Sequence, residues 1–184
     1  VLARNPDKLD DMIHKVTVVK GDYFVETGVD AAVEGAEAVL STVGPGMHEK
    51  SAVYTEQSQK TIDHLLSVLE KQGTRKFIMI GGAGIPLRDE KLPFNRKLLY
   101  FMMKTFFGVV VATKSMEINT ALDSKLPVTV VRPAAIKPQL SGSVHADERI
   151  IGKMAIDVGQ LADFMIDQLT DDTWVGKAPV VWTK

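Results

Sequence analysis

Short apolar runs rich in β-branched residues alternate with longer amphipathic stretches along the chain. Most of the short runs are apolar on both faces, as strands are when helices cover both sides of a parallel sheet. The alternation therefore predicts an α/β fold. The predicted strands span residues 16–19, 38–43, 77–80, 128–131 and 180–182.

The stretches between these runs predict crossover helices. The clearest helix is expected over residues 51–72, with Gly73 as its C-terminal stop. Residues 160–169 repeat the pattern, and residues 94–122 predict a strongly apolar helix that breaks near Gly108. The apolar stripe of the first helix comprises Tyr54, Ile62, Leu65, Leu66 and Leu69.

Composition narrows the class of protein. A length of 184 residues predicts one domain, and a net charge of -1 argues against nucleic-acid binding. The absence of cysteine excludes disulfides and fits a reducing compartment, so we expect a cytoplasmic protein. The longest apolar stretch, residues 98–112, is interrupted by Lys104 and too short to span a membrane.

The most specific local pattern is Arg4-Asn5-Pro6-Asp7-Lys8-Leu9, which follows an apolar start and precedes the predicted strand at 16–19 and then Gly21-Asp22. Three strand-end motifs follow in order, namely Ser41-Thr42-Val43-Gly44, Gly81-Gly82-Ala83-Gly84 and Arg132-Pro133-Ala134. This ordered set resembles the atypical short-chain dehydrogenase/reductases, in particular the NmrA-like and biliverdin/flavin-reductase-like NAD(P)H-binding proteins. The resemblance covers nearly the whole chain.

The resemblance implies a Rossmann-like, doubly wound parallel sheet with helices on both faces and a dinucleotide at the carboxyl ends of its strands. Arg4 would lie at the adenosine ribose, where a guanidinium suits a 2′-phosphate, so NADP(H) is expected rather than NAD(H). A solvated basic turn is the alternative for Arg4. The residues assigned to the cofactor are Arg4, Asn5, Lys8, Asp22, Tyr23, Thr42, Val43, Gly44, Gly81, Gly82, Arg132 and Pro133.

A dinucleotide fold also needs a first strand and a glycine-rich turn, whose following helix receives the pyrophosphate. No such pattern precedes Arg4. The usual spacing from that turn to the ribose predicts a missing segment of roughly 25 to 35 residues upstream. Gly81-Gly82-Ala83-Gly84 follows a late strand and does not replace it. We therefore expect residues 1–184 to form a single domain that lacks its first strand and phosphate loop.

Candidate catalytic groups are few. Tyr100 and Lys104 have the Tyr-x-x-x-Lys spacing in which lysine activates a phenol as a proton donor, although residues 113–122 match the usual position of that helix better. Core packing is the alternative for Tyr100. His48 and His145 follow predicted strands and are further candidates, with solvated loop histidines as the alternative. No metal-ligand spacing is found, so no metal is expected.

These features favour hydride transfer from NADPH to a small conjugated acceptor such as a flavin or quinone. A non-catalytic NAD(P) sensor of the NmrA-like type is the alternative, because no serine stands at residues 81–84. Whether the chain forms a homodimer stays open. Residues 91–116 carry five basic side chains and no acidic one. We expect this stretch to be buried in the domain, with a membrane-surface helix as the alternative.

Overall fold

The computed structural model describes residues 1–88, 90–92, 94–149 and 155–184. Residues 6–14 form a 3-10 helix with a kink at Asp10, whose φ is 47°. The strands are β1 (Leu2–Ala3), β2 (Val19–Lys20), β3 (Ala38–Ser41), β4 (Lys76–Ile80), β5 (Val128–Pro133), β6 (Ile136–Lys137), β7 (Val144–Asp147), β8 (Ile156–Asp157) and β9 (Val180–Thr183). The α-helices are α1 (Glu26–Val33), α2 (Ala52–Gln72), α3 (Phe94–Phe106), α4 (Gly108–Leu122) and α5 (Val158–Asp167).

The central sheet has five strands in the order β3-β4-β5-β9-β7. Its first four strands are parallel, and β7 is antiparallel to β9. Two short parallel pairs, β1-β2 and β6-β8, lie outside this sheet. The sequence prediction of an α/β fold with a largely parallel sheet is therefore confirmed.

Alternation along the central strands builds a core on each face of the sheet. Phe77 and Met79 of β4 pack with residues of α1, α2 and α4, whereas Ile78 packs with Leu161 and Met165 of α5. All five side chains are buried. Full burial of one such side chain contributes about 1.5 to 3 kcal/mol to the stability of the fold. Because buried side chains lie on both faces, helices on both sides stabilise the sheet.

Local signals account for the helix boundaries. Gly73 ends α2 in the left-handed region at φ 71°, as the sequence predicts. The apolar stretch breaks at Phe107 into α3 and α4. Helix α5 begins two residues earlier than predicted, because the Asp157 carboxylate caps it by accepting from the backbone N–H groups of Gly159 and Gln160.

Candidate functional site

The carboxyl ends of β1, β2 and β3 open onto one cavity of about 430 Å³. Arg4 follows β1, residues 21–24 follow β2 and residues 42–44 follow β3, and all of them line this cavity. The three strands therefore run in the same direction. The volume falls within the range of roughly 300 to 1,000 Å³ that small-molecule sites occupy.

The cavity brings together half of the residues that the sequence assigned to a cofactor. The predicted residues in its lining are Arg4, Asp22, Tyr23, Thr42, Val43 and Gly44. Asn5 and Lys8 follow Arg4 in sequence. Both are exposed, and neither lines the cavity. The sequence analysis did not assign the further lining residues to a cofactor, namely Leu2, Gly21, Phe24, Gly46, Glu49 and Tyr54.

Arg4 and Asp22 face each other across the rim of the cavity. The distance from Arg4 Nη1 to Asp22 Oδ2 is 3.9 Å, and the Arg4 side chain is 80% exposed. The other oxygen of Asp22 accepts a hydrogen bond of 2.9 Å from the backbone N–H of Phe24. An exposed ion pair at this distance contributes little free energy, so the guanidinium is held loosely at the rim.

Three aromatic side chains form one wall of the cavity. Phe24 packs edge-on against Tyr54 with a centroid distance of 4.9 Å, and Tyr23 lies 5.6 Å from Phe24. Burial raises the pKa of the Tyr23 phenol far above its ordinary value, and the negative charge of Glu117 raises it further. Burial and then Glu117 also raise the pKa of Tyr54. Both phenols are therefore neutral hydrogen-bonding groups at physiological pH.

A buried lysine joins two strand ends beneath the cavity. Lys114 of α4 is 8% exposed, and its Nζ donates to the backbone carbonyls of Val43, after β3, and Ile80, at the end of β4. Its ammonium lies 2.8 Å from the carboxylate of Glu117, which is 2% exposed. The pair fixes α4 against the loops that follow β3 and β4.

Gly44 lies directly against this lysine. A Cβ atom at position 44 would come within 2.6 Å of Lys114 Cε, so a larger residue there would require the end of the lysine side chain to shift. The sequence analysis missed Lys114 and Glu117. One signal in the sequence could have found them. Lys114 and Glu117 have the i, i+3 spacing of a helical ion pair, and they lie on the same side of α4 as the apolar residues Val111 and Ile118.

A second cavity of about 410 Å³ separates β1 from β3. β1 pairs with β2 and β3 pairs with β4, and in the part of the chain that the structure describes no strand lies between β1 and β3. We call this cavity the inter-strand slot. Its walls are mainly apolar, and they comprise Val1, Leu2, Tyr23, Val29, Ala32, Val33, Ala36, Ala38, Val39, Leu40, Ser41, Thr42, Val43 and Leu65.

Arg132 and Pro133 end β5 as buried residues. The Arg132 guanidinium donates to the carbonyls of Ala178 (2.8 Å), Ile85 (3.3 Å) and Glu148 (3.3 Å), and to the Glu90 carboxylate at 2.9 Å. It thus joins three loops from inside the fold.

Gly81 and Gly82 follow β4 and are partly buried. A Cβ atom at position 81 would lie 3.0 Å from Ile118 and 3.1 Å from Val130, so this backbone packs tightly against α4 and β5.

The candidate catalytic residues lie outside the lining of the cavity. Tyr100 of α3 packs against the core, whereas Lys104, one turn later, is exposed. His48 is exposed in the loop between β3 and α2 and is not part of the cavity lining. The His145 ring stacks on the Trp182 ring, with 5.7 Å between the ring centroids. Within the described residues, no cluster of three or more potential metal ligands is found, and no helix is long and apolar enough to cross a membrane.

Comparison with known proteins gives the family context of these features. The sequence profile of a family described as NAD(P)H-binding matches residues 1–172. A search of curated proteins found no significant match.

Several solved structures share the fold. A putative NAD-dependent epimerase/dehydratase from Bacillus halodurans has a TM-score of 0.72 and 20% identity, over 100% of this chain and 81% of that one. A short-chain dehydrogenase/reductase from Veillonella parvula in complex with NADP has a TM-score of 0.66 and 16% identity. The match covers 97% of this chain and 76% of that one. The anaerobilin reductase ChuY from Escherichia coli O157:H7 has a TM-score of 0.75 and 15% identity. The match covers 99% of this chain and 82% of that one.

Proposed function

Because the chain belongs to the NAD(P)H-binding family, we propose that it is an NADPH-dependent oxidoreductase that transfers hydride to a conjugated acceptor such as a flavin or quinone. One observation carries the proposal: Arg4, Asp22, Tyr23 and residues 42–44 converge on a single cavity at the carboxyl ends of three parallel strands. Ligands of open α/β sheets bind at that edge. The absence of cysteine favours a reducing compartment, and we place the protein in the cytoplasm.

The side chains of the cavity fit the adenosine half of NADPH. Arg4 at the rim presents a planar set of donors that matches two oxygens of a 2′-phosphate. Phe24 and Tyr54 provide aromatic faces for a purine, and the main chain at residues 42–44 approaches without a side chain at Gly44. Among the residues described, no glycine-rich turn leads directly from a strand into a helix, so this fit concerns the adenosine half.

When bound, NADPH supplies the hydride. With a quinone as acceptor, the balanced reaction consumes one proton and yields NADP⁺ and the hydroquinone. Lys114 holds the backbone after β3 and β4 in place and so orients the edge of the sheet that faces the cofactor. None of Tyr100, Lys104 and His48 lines the cavity, which favours an acceptor whose proton comes from water.

A second candidate function is a sensor that binds NAD(P)H without turnover. The observation that favours it is that the residues lining the cavity do not include the Tyr-x-x-x-Lys pair, Tyr100 and Lys104. Such a protein would bind the dinucleotide in the same cavity. It would oxidise NADPH with none of the acceptors offered.

Arg4→Ser is expected to weaken NADPH binding about tenfold or more and to change NADH binding little, because a charge-assisted hydrogen bond contributes about 1.5 to 3 kcal/mol and only NADPH carries the 2′-phosphate. Isothermal titration calorimetry with both nucleotides measures this. Steady-state oxidation of NADPH in the presence of flavins and quinones should show turnover by the wild-type protein.

Arg75→Ser is the matched control, since Arg75 is equally exposed and lies 3.8 Å from Glu37, at the other end of the strands. It should leave both affinities unchanged. Equal losses for NADPH and NADH in Arg4→Ser would contradict the assignment of NADP. NADPH binding without oxidation of any acceptor would favour the sensor, and no binding of either nucleotide would contradict both functions.

We also propose that the inter-strand slot receives a further parallel strand, which would complete the domain. The slot lies between strands that run in the same direction, and its walls are apolar on the side of β3 and on the side of β1. An extended segment there would hydrogen-bond to both neighbours, and its carboxyl end would reach the cavity beside Arg4. The three solved structures above are all longer than this chain.

A fluorescent peptide of alternating valine and isoleucine with lysines at both ends is expected to bind this polypeptide saturably, because it can add a strand to both edges of the slot. Fluorescence anisotropy measures the binding. The control is the same peptide with proline at alternate positions, which cannot donate to a ladder and should not bind. Equal binding of the two peptides, or binding of neither, would contradict the proposed strand.

A further inference from the structure

Helix α3 presents an apolar face to solvent. Three of its phenylalanines, Phe94, Phe101 and Phe106, are 84%, 67% and 70% exposed, and Leu98 and Met102 between them are exposed as well. At 100° per residue these five positions fall on one side of the helix, which we call the outer face of α3. Sequence analysis expected this stretch to be buried, but the outer face of α3 is exposed, and Tyr100 and Met103 on the opposite side are only partly buried.

The inner side of α3 explains why the outer face stays outside. Tyr100 and Met103 point into the fold and pack against the main core. Met103 lies so close to Gly84 that a Cβ atom there would come within 2.5 Å of its sulfur. The helix is therefore attached by one side, and the phenylalanines of the other side cannot turn inward without losing these contacts.

All charged residues from position 91 to position 116 are basic. Lys91, Lys97 and Lys104 are exposed, and residues 91–116 contain no aspartate or glutamate. Lys97 and Lys104 lie together along one flank of the outer face, at the spacing of two helical turns. Their aliphatic stems can lie along an apolar surface while the ammonium groups reach the polar layer above it.

We infer that the outer face of α3 docks on an anionic membrane surface, with the phenylalanines in the interfacial layer and the lysines at the lipid phosphates. A second copy of this chain fits less well. A two-fold contact through the same face would bring the lysines of one copy near those of the other, with no acidic residue of the stretch to compensate them. This inference does not depend on the reaction that the protein catalyses.

Sedimentation with sucrose-loaded vesicles tests the inference on the purified protein. We expect binding to equimolar phosphatidylcholine and phosphatidylglycerol, little binding to phosphatidylcholine alone, and loss of binding at high salt. Phe94→Ser/Phe101→Ser should lower the vesicle partition coefficient about tenfold or more, since apolar burial drives insertion. Lys97→Gln/Lys104→Gln should lower binding to the anionic vesicles only.

Val158→Ser/Ile166→Ser is the matched control, because both residues are exposed apolar residues of another helix, α5. It should bind vesicles like the wild type, and circular dichroism melting should show that each variant is folded. Failure of the wild type to bind the anionic vesicles would overturn the inference, as would unchanged binding by the phenylalanine variant. So would a wild-type dimer that this variant converts to a monomer in the absence of lipid binding.

Discussion

Lys114→Met is expected to lower the free energy of unfolding by about 3 to 5 kcal/mol, because it leaves the buried carboxylate of Glu117 without its ammonium partner. The loss should be largely recovered in Lys114→Met/Glu117→Leu, which replaces the pair with apolar groups and buries no charge. Urea unfolding of the wild type, the two single variants and the double variant gives the coupling free energy.

The double variant also separates stability from cofactor binding. If Lys114 orients the backbone after β3, the double variant should be folded and stable but bind NADPH more weakly than the wild type. Lys60→Met is a suitable control, since the Lys60–Glu56 pair at 2.8 Å is exposed and should contribute little to the free energy of unfolding. A cost of that small size for Lys114→Met alone would contradict the role assigned to the buried pair.

Arg132→Met is expected to destabilise the fold by a similar amount, about 3 to 5 kcal/mol, because the largely buried Glu90 carboxylate would lose the guanidinium that pairs with it at 2.9 Å. The carbonyls of Ala178, Ile85 and Glu148 would each lose the donor that Arg132 provides. Arg132→Lys should recover only part of the loss, since one ammonium cannot reach carbonyls on three loops. Urea unfolding measures the loss of stability, and limited proteolysis measures how firmly the segments around Ile85 and Ala178 are held.

Arg88→Met provides the comparison for Arg132. Arg88 lies in the same loop region and bonds to Asp123 at 2.8 Å, but both side chains are largely exposed. Its replacement should cost less than about 1 kcal/mol. A cost for Arg132→Met no larger than that for Arg88→Met would show that the buried guanidinium does not hold the loops together.

The sequence predicts the fold well because its signals are local. Strands apolar on both faces, a left-handed Gly73 and a break before Gly108 can each be recognised within a few residues. The short pairs β1-β2 and β6-β8 are harder to predict, since strands of two residues have no period to detect. The start of α5 depends on the single carboxylate of Asp157.

The candidate site is predictable where topology alone decides it. β1 and β2 form a separate parallel pair and β3 belongs to the central sheet, yet the residues that follow all three strands line one cavity, as the order of strands in the resemblance implies. Lys114 escaped prediction because its acceptor at Val43 lies 71 residues away in sequence. Tyr54 was interpreted as part of the core stripe of α2, and the structure instead places it in the cavity wall.

The connection between β5 and the last strand has a consequence for biosynthesis. β9 pairs with β5 and β7, and Arg132 needs the carbonyl of Ala178. While the ribosome is still translating the codons for residues 177–183, β5 has emerged without this neighbour, and the Arg132 guanidinium does not yet have the Ala178 carbonyl as an acceptor. The nascent chain therefore passes through a stage with an open sheet edge, when chaperones would protect it most.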